Sequence, residues 1–179
     1  MSAASSSSTS ASAGPPSTSG EASISSNSSS SPSLIMQLIL PPQLLSGPDA
    51  WPRGPLMTQA AHAAVAALVS SLPLSANARE YVGTPEALRG MHKVALKGPE
   101  KGEAGKEGLR GLSDKLKRGR EEWEQRQKSG KLEDGEEEFP LHHLWIEQPE
   151  DVPTCIAVAP NRKPAALKKI LNKCSLIRD

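Results

Sequence analysis

The sequence has little cysteine, few aromatic residues and no long hydrophobic run, and each shortage excludes a class of protein. Its two cysteines, Cys155 and Cys174, exclude a disulfide framework, and the one close pair of ligand residues, His142-His143, does not make a zinc site. Its apolar runs, such as residues 34–40, are far shorter than the roughly 20 residues of a membrane span. We therefore expect a soluble, unsecreted protein in a reducing compartment, the cytoplasm, with no membrane partner.

Motifs of the common cofactor classes are also missing. The chain contains no Gly-x-x-x-x-Gly-Lys-Ser phosphate loop, no Gly-x-Gly-x-x-Gly dinucleotide fingerprint and no Gly-x-Ser-x-Gly serine elbow. We therefore expect no cofactor and no bound metal. A length of 179 residues also excludes a second full-sized domain.

Serine is the residue in excess, and it is concentrated at the start of the chain. Residues 1–33 are about half serine, and Ile24 is nearly their only large apolar residue, so burial cannot offset the entropy of ordering. We predict a disordered tail. A mitochondrial or plastid transit peptide is the alternative, but such peptides are rich in arginine, whereas the first basic residue of this chain is Arg53.

The remainder, residues 34–179, is predicted to be one domain with a charged insertion at about 99–138. Residues 53–179 hold all 21 basic side chains and 18 of the 20 acidic ones, which gives this part a net charge of +3. That mild excess is compatible with a nucleic-acid partner without requiring one. The insertion is predicted to form one amphipathic helix, followed by a mobile acidic loop at 133–138.

Hydrophobic periodicity predicts the element order β-α-β-α-β-β-α. The predicted strands cover residues 33–40, 91–96, 141–147 and 154–159, and the predicted helices cover 56–72, 107–128 and 163–173. Residues 148–153 are short enough to join the last two strands as an antiparallel hairpin, with Pro149 and Pro153 confined to its turn. The order is typical of a three-layer α/β/α domain with a mixed four-stranded sheet.

The first predicted helix carries two faces. A stripe at helical spacing is predicted to be core: Met57, Ala61, Ala64, Val65, Leu68 and Leu72. Thr58, Gln59 and His62 gather on a second face near the start of the helix. An anion such as phosphate would be favoured there, because the free N–H groups and Arg53 lie at the positive end of the helix dipole.

Four sequence runs resemble one known family when they are taken together and in order. They are Thr58-Gln59-Ala60-Ala61-His62-Ala63-Ala64, Met91-His92-Lys93-Val94-Ala95-Leu96-Lys97, Leu144-Trp145-Ile146-Glu147-Gln148-Pro149-Glu150 and Thr154-Cys155-Ile156-Ala157-Val158-Ala159-Pro160. The chain resembles the type II peptidyl-tRNA hydrolases, most of all their eukaryotic domain-containing branch. The resemblance covers about residues 34–173, interrupted by the charged insertion.

The resemblance implies an enzyme that hydrolyses the ester between a peptide and the 3′ ribose of tRNA, with peptidyl-tRNA as its partner and with a homodimer left open. It implies Lys93 as the cation for phosphate or oxyanion, His62 or Glu147 in proton transfer, and Thr154 and Gln59 as positioning residues. Arg53, Thr58 and Lys97 complete the expected substrate-binding set. Ester hydrolysis requires groups of these kinds: a base, an oxyanion donor and cations for phosphate.

Alternatives stand beside these roles. His62 alone on an alanine-rich helix is compatible with a structural hydrogen bond, and Lys93 with a solvated strand end. Glu147 could cap the hairpin or pair with Lys93, and Trp145 could be core or could stack on a tRNA base. Family members carry Gly-Lys-Gly-Lys before the helix and Asp-Ala-Gly-Arg-Thr after the third strand, which this chain lacks. A non-catalytic RNA- or protein-binding module with the same fold is therefore the alternative function.

Overall fold

The structure, a computed structural model, describes residues 33–100 and 108–178. The tail predicted at residues 1–33 lies outside this part, apart from Ser33. The described chain forms five strands: β1 (Ile35–Leu40), β2 (His92–Lys97), β3 (His142–Glu147), β4 (Val152–Asn161) and β5 (Ser175–Leu176). Its helices are α1 (Pro42–Leu45), α2 (Arg53–Ser71), α3 (Ala76–Val82), α4 (Pro85–Arg89), α5 (Leu109–Lys128) and α6 (Ala165–Ile170), the last followed by a 3₁₀ turn at Leu171–Lys173.

The strands form one mixed sheet in the order β3-β4-β1-β2-β5. The central strand β1 is parallel to β2 and antiparallel to β4, and β3 and β4 form the predicted hairpin. The predicted count of four strands was wrong, because β5 pairs two residues, Ser175 and Leu176, with the end of β2. Two residues are too few to leave an alternating pattern in the sequence.

The predicted elements with strong periodicity are present, and the short helices were missed. Helices α3 and α4 have seven and five residues, less than two turns each. Their starts are fixed by the side chains of Ser75 and Thr84, which accept hydrogen bonds from the backbone N–H groups of Ala78 and Ala87. Among the described residues no single helix is long and apolar enough to cross a membrane; α2 and α3 reach that length and composition only together, across a 120° bend.

Alternate residues of the strands point to opposite faces of the sheet, and each face carries its own core. On one face α5 and α6 pack large side chains onto β1 and β4, a cluster that includes Leu116, Phe139, Ile156, Val158 and Leu167. On the other face α2 packs on small ones, Ala63 and Ala67 of the helix against Cys155 and Ala157 of β4. We call these the α5 face and the α2 face.

The core stripe predicted for α2 was wrong. Met57 is 72% exposed and Val65 is 62% exposed, whereas the buried residues of the helix are Gln59, Ala63, Ala67 and Ser71. The helix is rotated from the predicted orientation so that its small side chains face the sheet. Small residues on both sides let the helix backbone approach β4 closely, which a stripe of methionine, valine and leucine would prevent.

The acidic run at 133–138, predicted to be a mobile loop, instead packs along α5. Glu138 accepts hydrogen bonds from Arg120, at 2.9 Å, and from Ser75, at 2.9 Å. Arg126 pairs with Glu136, and Arg120 also bonds the carbonyl oxygen of Phe139. Two arginines of α5 therefore have acidic partners in the segment that follows the helix, and the next residue, Phe139, is buried in the core of the α5 face.

Candidate active site

A register shift in the hairpin places Thr154 on the α2 face. Trp145 pairs with Cys155, and the next residue of β3, Ile146, pairs with Pro153, so Thr154 is left without a partner on β3. Such a bulge bends the strand and redirects the side chain of its extra residue. The bulge also explains how Pro153, predicted to lie in the turn, is accommodated within β4.

The Thr154 hydroxyl is fully buried and donates to Gln59 Oε1 at 3.1 Å. It also lies 3.5 Å from the carbonyl oxygen of Trp145. Gln59 is 4% exposed, so the bond joins β4 to α2 inside the protein. Because the amide oxygen of Gln59 is engaged by Thr154, its NH₂ group is the part left to donate to a further acceptor.

His62 lies one turn after Gln59 on α2 and stacks on Trp145 of β3. The two ring centres are 4.7 Å apart and the planes are inclined by 20°. The Trp145 indole N–H donates to Glu147 Oε2 at 3.3 Å, and His143 lies on the same side with its ring centre 6.1 Å from that of Trp145. Trp145 therefore contacts both residues predicted for proton transfer, His62 through the face of its ring and Glu147 through its N–H group. We call His62, Trp145, Glu147, Gln59 and Thr154 the Trp145 cluster.

The structure does not bring Lys93 to this cluster. Its ammonium lies 3.7 Å from Met91 Sδ and 5.5 Å from the centre of the Tyr81 ring. The strand register explains the separation, because Lys93 pairs with Met36 near the start of β1, whereas β4 runs towards Thr154 at the end of β1, where Ile39 pairs with Ile156. Of the two alternatives left open for Glu147, the pairing with Lys93 is not formed, because Lys93 contacts Met91 and Tyr81 instead.

Lys97 lies at the same end of the sheet as Thr154. It pairs with Leu40, the last residue of β1, four residues or about 13 Å along the strand from Lys93. Lys93, Ala95 and Lys97 share one face of β2, as predicted, and of the two lysines it is Lys97 that lines the cleft at the start of α2. Both lysines were predicted for the site, and Lys97 is the one at the end of the sheet that holds Thr154.

Arg53 and Lys97 line a cleft of about 920 Å³ between the first turns of α2, the end of β2 and the chain around β5. Trp51 and Arg178 also line this cleft, and neither was predicted to be functional. Thr58 is exposed, and its hydroxyl donates to the carbonyl oxygen of Gly54 within α2 at 3.2 Å. An isolated tryptophan in a Pro- and Gly-rich loop was the signal that could have identified Trp51; Arg178 offered none.

The buried thiols are not nucleophiles at neutral pH. Burial raises the pKa of Cys155 to about 12, with a backbone hydrogen bond from Ile39 in opposition, and burial raises the pKa of Cys174 to about 11. Both groups are therefore protonated under ordinary conditions. Within residues 33–100 and 108–178, no group of three His, Cys, Asp or Glu side chains is arranged to hold a metal ion.

The described chain therefore combines a mixed α/β fold with a cluster of imidazole, carboxylate, amide and hydroxyl groups and with a cleft that carries basic side chains. No protein-family model matches the chain. The chain is 31% identical over 133 residues to the Homo sapiens protein named “Putative peptidyl-tRNA hydrolase PTRHD1”, with 73% of each chain covered. It is 32% identical over 133 residues to the Mus musculus protein of the same name, with the same coverage.

The chain belongs to the peptidyl-tRNA hydrolase-like family of these relatives. The family resemblance drawn from the four sequence runs is thereby confirmed.

Proposed function

We propose that this protein hydrolyses peptidyl-tRNA, releasing the peptide by cleaving its ester to the 3′ ribose. The observation that carries the proposal is that three separate elements, α2, β3 and β4, meet in the Trp145 cluster, with an exposed lysine, Lys97, two strands from β4 at the same end of the sheet. The names of the relatives support the same reaction class. The roles below are assigned from geometry and chemistry.

His62 is the proposed general base. It is exposed, so a water molecule can reach its ring edge, while the stack on Trp145 holds the ring plane in one orientation. The water oxygen attacks the ester carbonyl and its proton passes to the imidazole. The C–O bond to the ribose then breaks, and the 3′ oxygen takes up a proton as it leaves.

The negative charge that develops on the carbonyl oxygen needs donors. The NH₂ group of Gln59 is one, since Thr154 holds the amide oxygen and thereby fixes the direction of the amide. Thr154, fully buried, is in this scheme a positioning residue that acts through Gln59. Glu147 is likewise a positioning residue in this scheme: it acts through Trp145, from whose N–H it accepts a hydrogen bond.

Lys97 is the proposed cation of the site, in place of Lys93. It lies at the start of α2 and at the end of the sheet that holds Thr154, and in this proposal its ammonium stabilises the oxyanion or the adjacent phosphate. Lys93 is an exposed residue at the far end of the same strand and serves as a matched control, since it has the same charge and the same side-chain length.

The experiment compares Lys97→Ala with Lys93→Ala in the release of peptide from an N-acetylated aminoacyl-tRNA by the full chain. We expect Lys97→Ala to lower kcat/KM by about 100-fold or more, the usual effect of losing an oxyanion donor, and Lys93→Ala to change it by less than about threefold. Equal losses in the two variants would remove the assignment of Lys97.

Absence of turnover would have a definite meaning in the same experiment. If the unaltered protein binds tRNA with an affinity that falls steeply with salt but releases no peptide, the hydrolase proposal fails and the RNA-binding alternative is selected. The altered hairpin turn, with Glu147 where relatives of the type II enzymes carry aspartate, is the feature that would then explain the lost chemistry.

A further inference from the structure

Helix α2 carries an exposed apolar stripe on the side that faces away from the sheet. Met57, Ala61, Val65 and Val69 recur at intervals of four residues, so they lie along one side of the helix, and all four are exposed. Together with Leu74, just after the helix, the three larger ones are the most exposed large apolar side chains of the described residues. A contiguous apolar patch of this kind is typical of a contact surface. We call these four residues the α2 stripe.

The stripe lies in a part of the chain that has no charged side chains. Between residues 54 and 78 the sequence contains no Lys, Arg, Asp or Glu. Helix α5, by contrast, presents Lys115, Lys117 and Arg118 to solvent, as the outer face of a helix at a protein surface ordinarily does. Depletion of charge is what distinguishes the core of a protein interface from the rest of a protein surface. The composition of the α2 stripe is therefore that of an interface.

The sequence outside the described residues does not have the side chains to cover the stripe. Residues 1–32 contain Met1 and Ile24 as their only large apolar residues, and residues 101–107 contain none. A membrane surface is disfavoured too, because helices that lie on membranes carry Lys and Arg along their polar face and residues 54–78 carry none. The occupant that fits an uncharged apolar helix is another uncharged apolar helix.

We infer that the α2 stripe packs against the same stripe of a second copy of this chain, giving a homodimer with two antiparallel α2 helices. In a two-fold interface the same surface meets itself, so a charge near the axis would face its own like, and the stripe has none. Antiparallel helices also place the positive end of each helix dipole beside the negative end of the other.

The spacing of the stripe is self-complementary. With the two-fold axis midway between Ala61 and Val65, Ala61 lies beside Val65 of the second copy, and Met57 lies beside its Val69. Each contact then joins a larger side chain to a smaller one, which lets the two helices approach closely. A stripe with its large residues only at the middle would hold the two helices apart.

The contact is small and does not use the Trp145 cluster. Helix α2 has 19 residues and is about 28 Å long, so one helix pair buries less than a standard interface, and we expect a Kd on the order of 1–100 µM. His62 follows Ala61 and is turned by about 100° around the helix, where it stacks on Trp145. The inference therefore goes beyond the proposed hydrolysis and does not depend on it.

The test is sedimentation velocity of the full chain at concentrations from about 1 to 500 µM, a range that brackets the expected Kd. We expect the unaltered protein to change from monomer to dimer across this range. Val65→Lys and Val65→Glu should each raise Kd at least about 20-fold, because each places two like charges near the axis. Leu88→Lys adds the same charge at an exposed leucine of α4 and should dimerise as the unaltered protein does.

An equal mixture of Val65→Lys and Val65→Glu separates the interface from a folding defect. Opposite charges then face each other across the axis, so the mixture should form a dimer that neither variant forms alone, and about 0.5 M salt should weaken it. Only a surface that meets its own copy gives this rescue, whereas variants that had failed to fold would stay unassociated.

The homodimer is overturned if the unaltered protein stays monomeric throughout the concentration range. It is equally overturned if a dimer persists in Val65→Lys, since the contact is then elsewhere, or if the mixture does not associate. Capture of the monomeric protein by vesicles of neutral phosphatidylcholine, lost in Val65→Lys, would assign the α2 stripe to a lipid surface instead of a second copy.

Discussion

The two faces of the sheet are packed in opposite ways. On the α5 face, large side chains such as Phe139 and Leu116 fill the space between helix and sheet. On the α2 face, the contact is made by Ala63 and Ala67 against Cys155 and Ala157. The large side chains bury more apolar surface and so contribute more to stability, while the small ones allow a close approach that brings Gln59 against Thr154. The α5 face therefore contributes most to stability, and the α2 face positions the residues of the Trp145 cluster.

The largest expected effect on this comparison comes from Phe139→Ala. The ring is 1% exposed at the centre of the α5 face, so its loss should lower the free energy of unfolding by about 3–5 kcal/mol. Because the Trp145 cluster lies on the other face, hydrolysis per folded molecule should be unchanged. Urea unfolding gives the first quantity, and turnover corrected for the folded fraction gives the second.

Gly119 supplies a control for that experiment. A Cβ added at this residue would lie 2.6 Å from Phe139 Cζ, so Gly119→Ala should destabilise the unaltered protein. In the Phe139→Ala background the ring is gone, and alanine should instead stabilise α5 through its higher helix propensity. If Gly119→Ala changes the free energy of unfolding equally in both backgrounds, contact with the Phe139 ring is not the cause of the change.

A smaller effect is expected on the α2 face. Ala67→Leu places a leucine at a buried position of α2, and Val65→Leu places one at an exposed position of the same helix. Ala67 is fully buried, and the larger side chain should separate the helix from β4, costing about 1–3 kcal/mol and reducing turnover through the displaced Gln59. Val65 is 62% exposed, and its replacement should change stability by less than about 0.5 kcal/mol. Similar losses in the two variants would contradict the observed orientation of α2.

The orientation of α2 is also where sequence reasoning failed. Hydrophobicity ranks Met57 and Val65 above alanine, so periodicity alone assigns the larger residues to the core. The structure reverses this because the opposing positions on β4 are small, and only small helix residues fit against them. The size of residues on another element cannot be read from the helix itself, whereas the existence of α2, β1 and α5 follows from local pattern and was predicted.

The candidate site shows the same division between what is local and what is not. That Lys93 and Lys97 share a face of β2 follows from strand periodicity. Which of them lies at the end of the sheet that holds Thr154 depends on how β2 pairs with β1, and that register has no signature within β2. The stack of His62 on Trp145 likewise joins residues more than 80 positions apart, and the bulge at Thr154 is specified by pairing across the hairpin.

The two adjacent histidines of β3 lie on opposite faces of the sheet, and one of them makes stability depend on pH. His143 faces Trp145 on the α2 face, while His142 points to the α5 face, where Ser113 Oγ lies 2.8 Å from its Nε2. Burial lowers the pKa of His142 from 6.5 to about 4; His143 acts in the same direction and Asp114 opposes it. Between these two values the unfolded chain binds a proton that the folded chain does not.

The free energy of unfolding should therefore keep this contribution above pH 6.5 and lose it as the pH falls towards 4. Urea unfolding at pH 7.5 and pH 5 should show a loss of about 1–2 kcal/mol that is absent in His142→Gln, the value being reduced for partial exposure. His92→Gln removes an exposed imidazole at the start of β2 and should leave the pH dependence as it is in the unaltered protein. If His142→Gln retains the full loss, protonation of His142 is not its cause and another titrating group carries it.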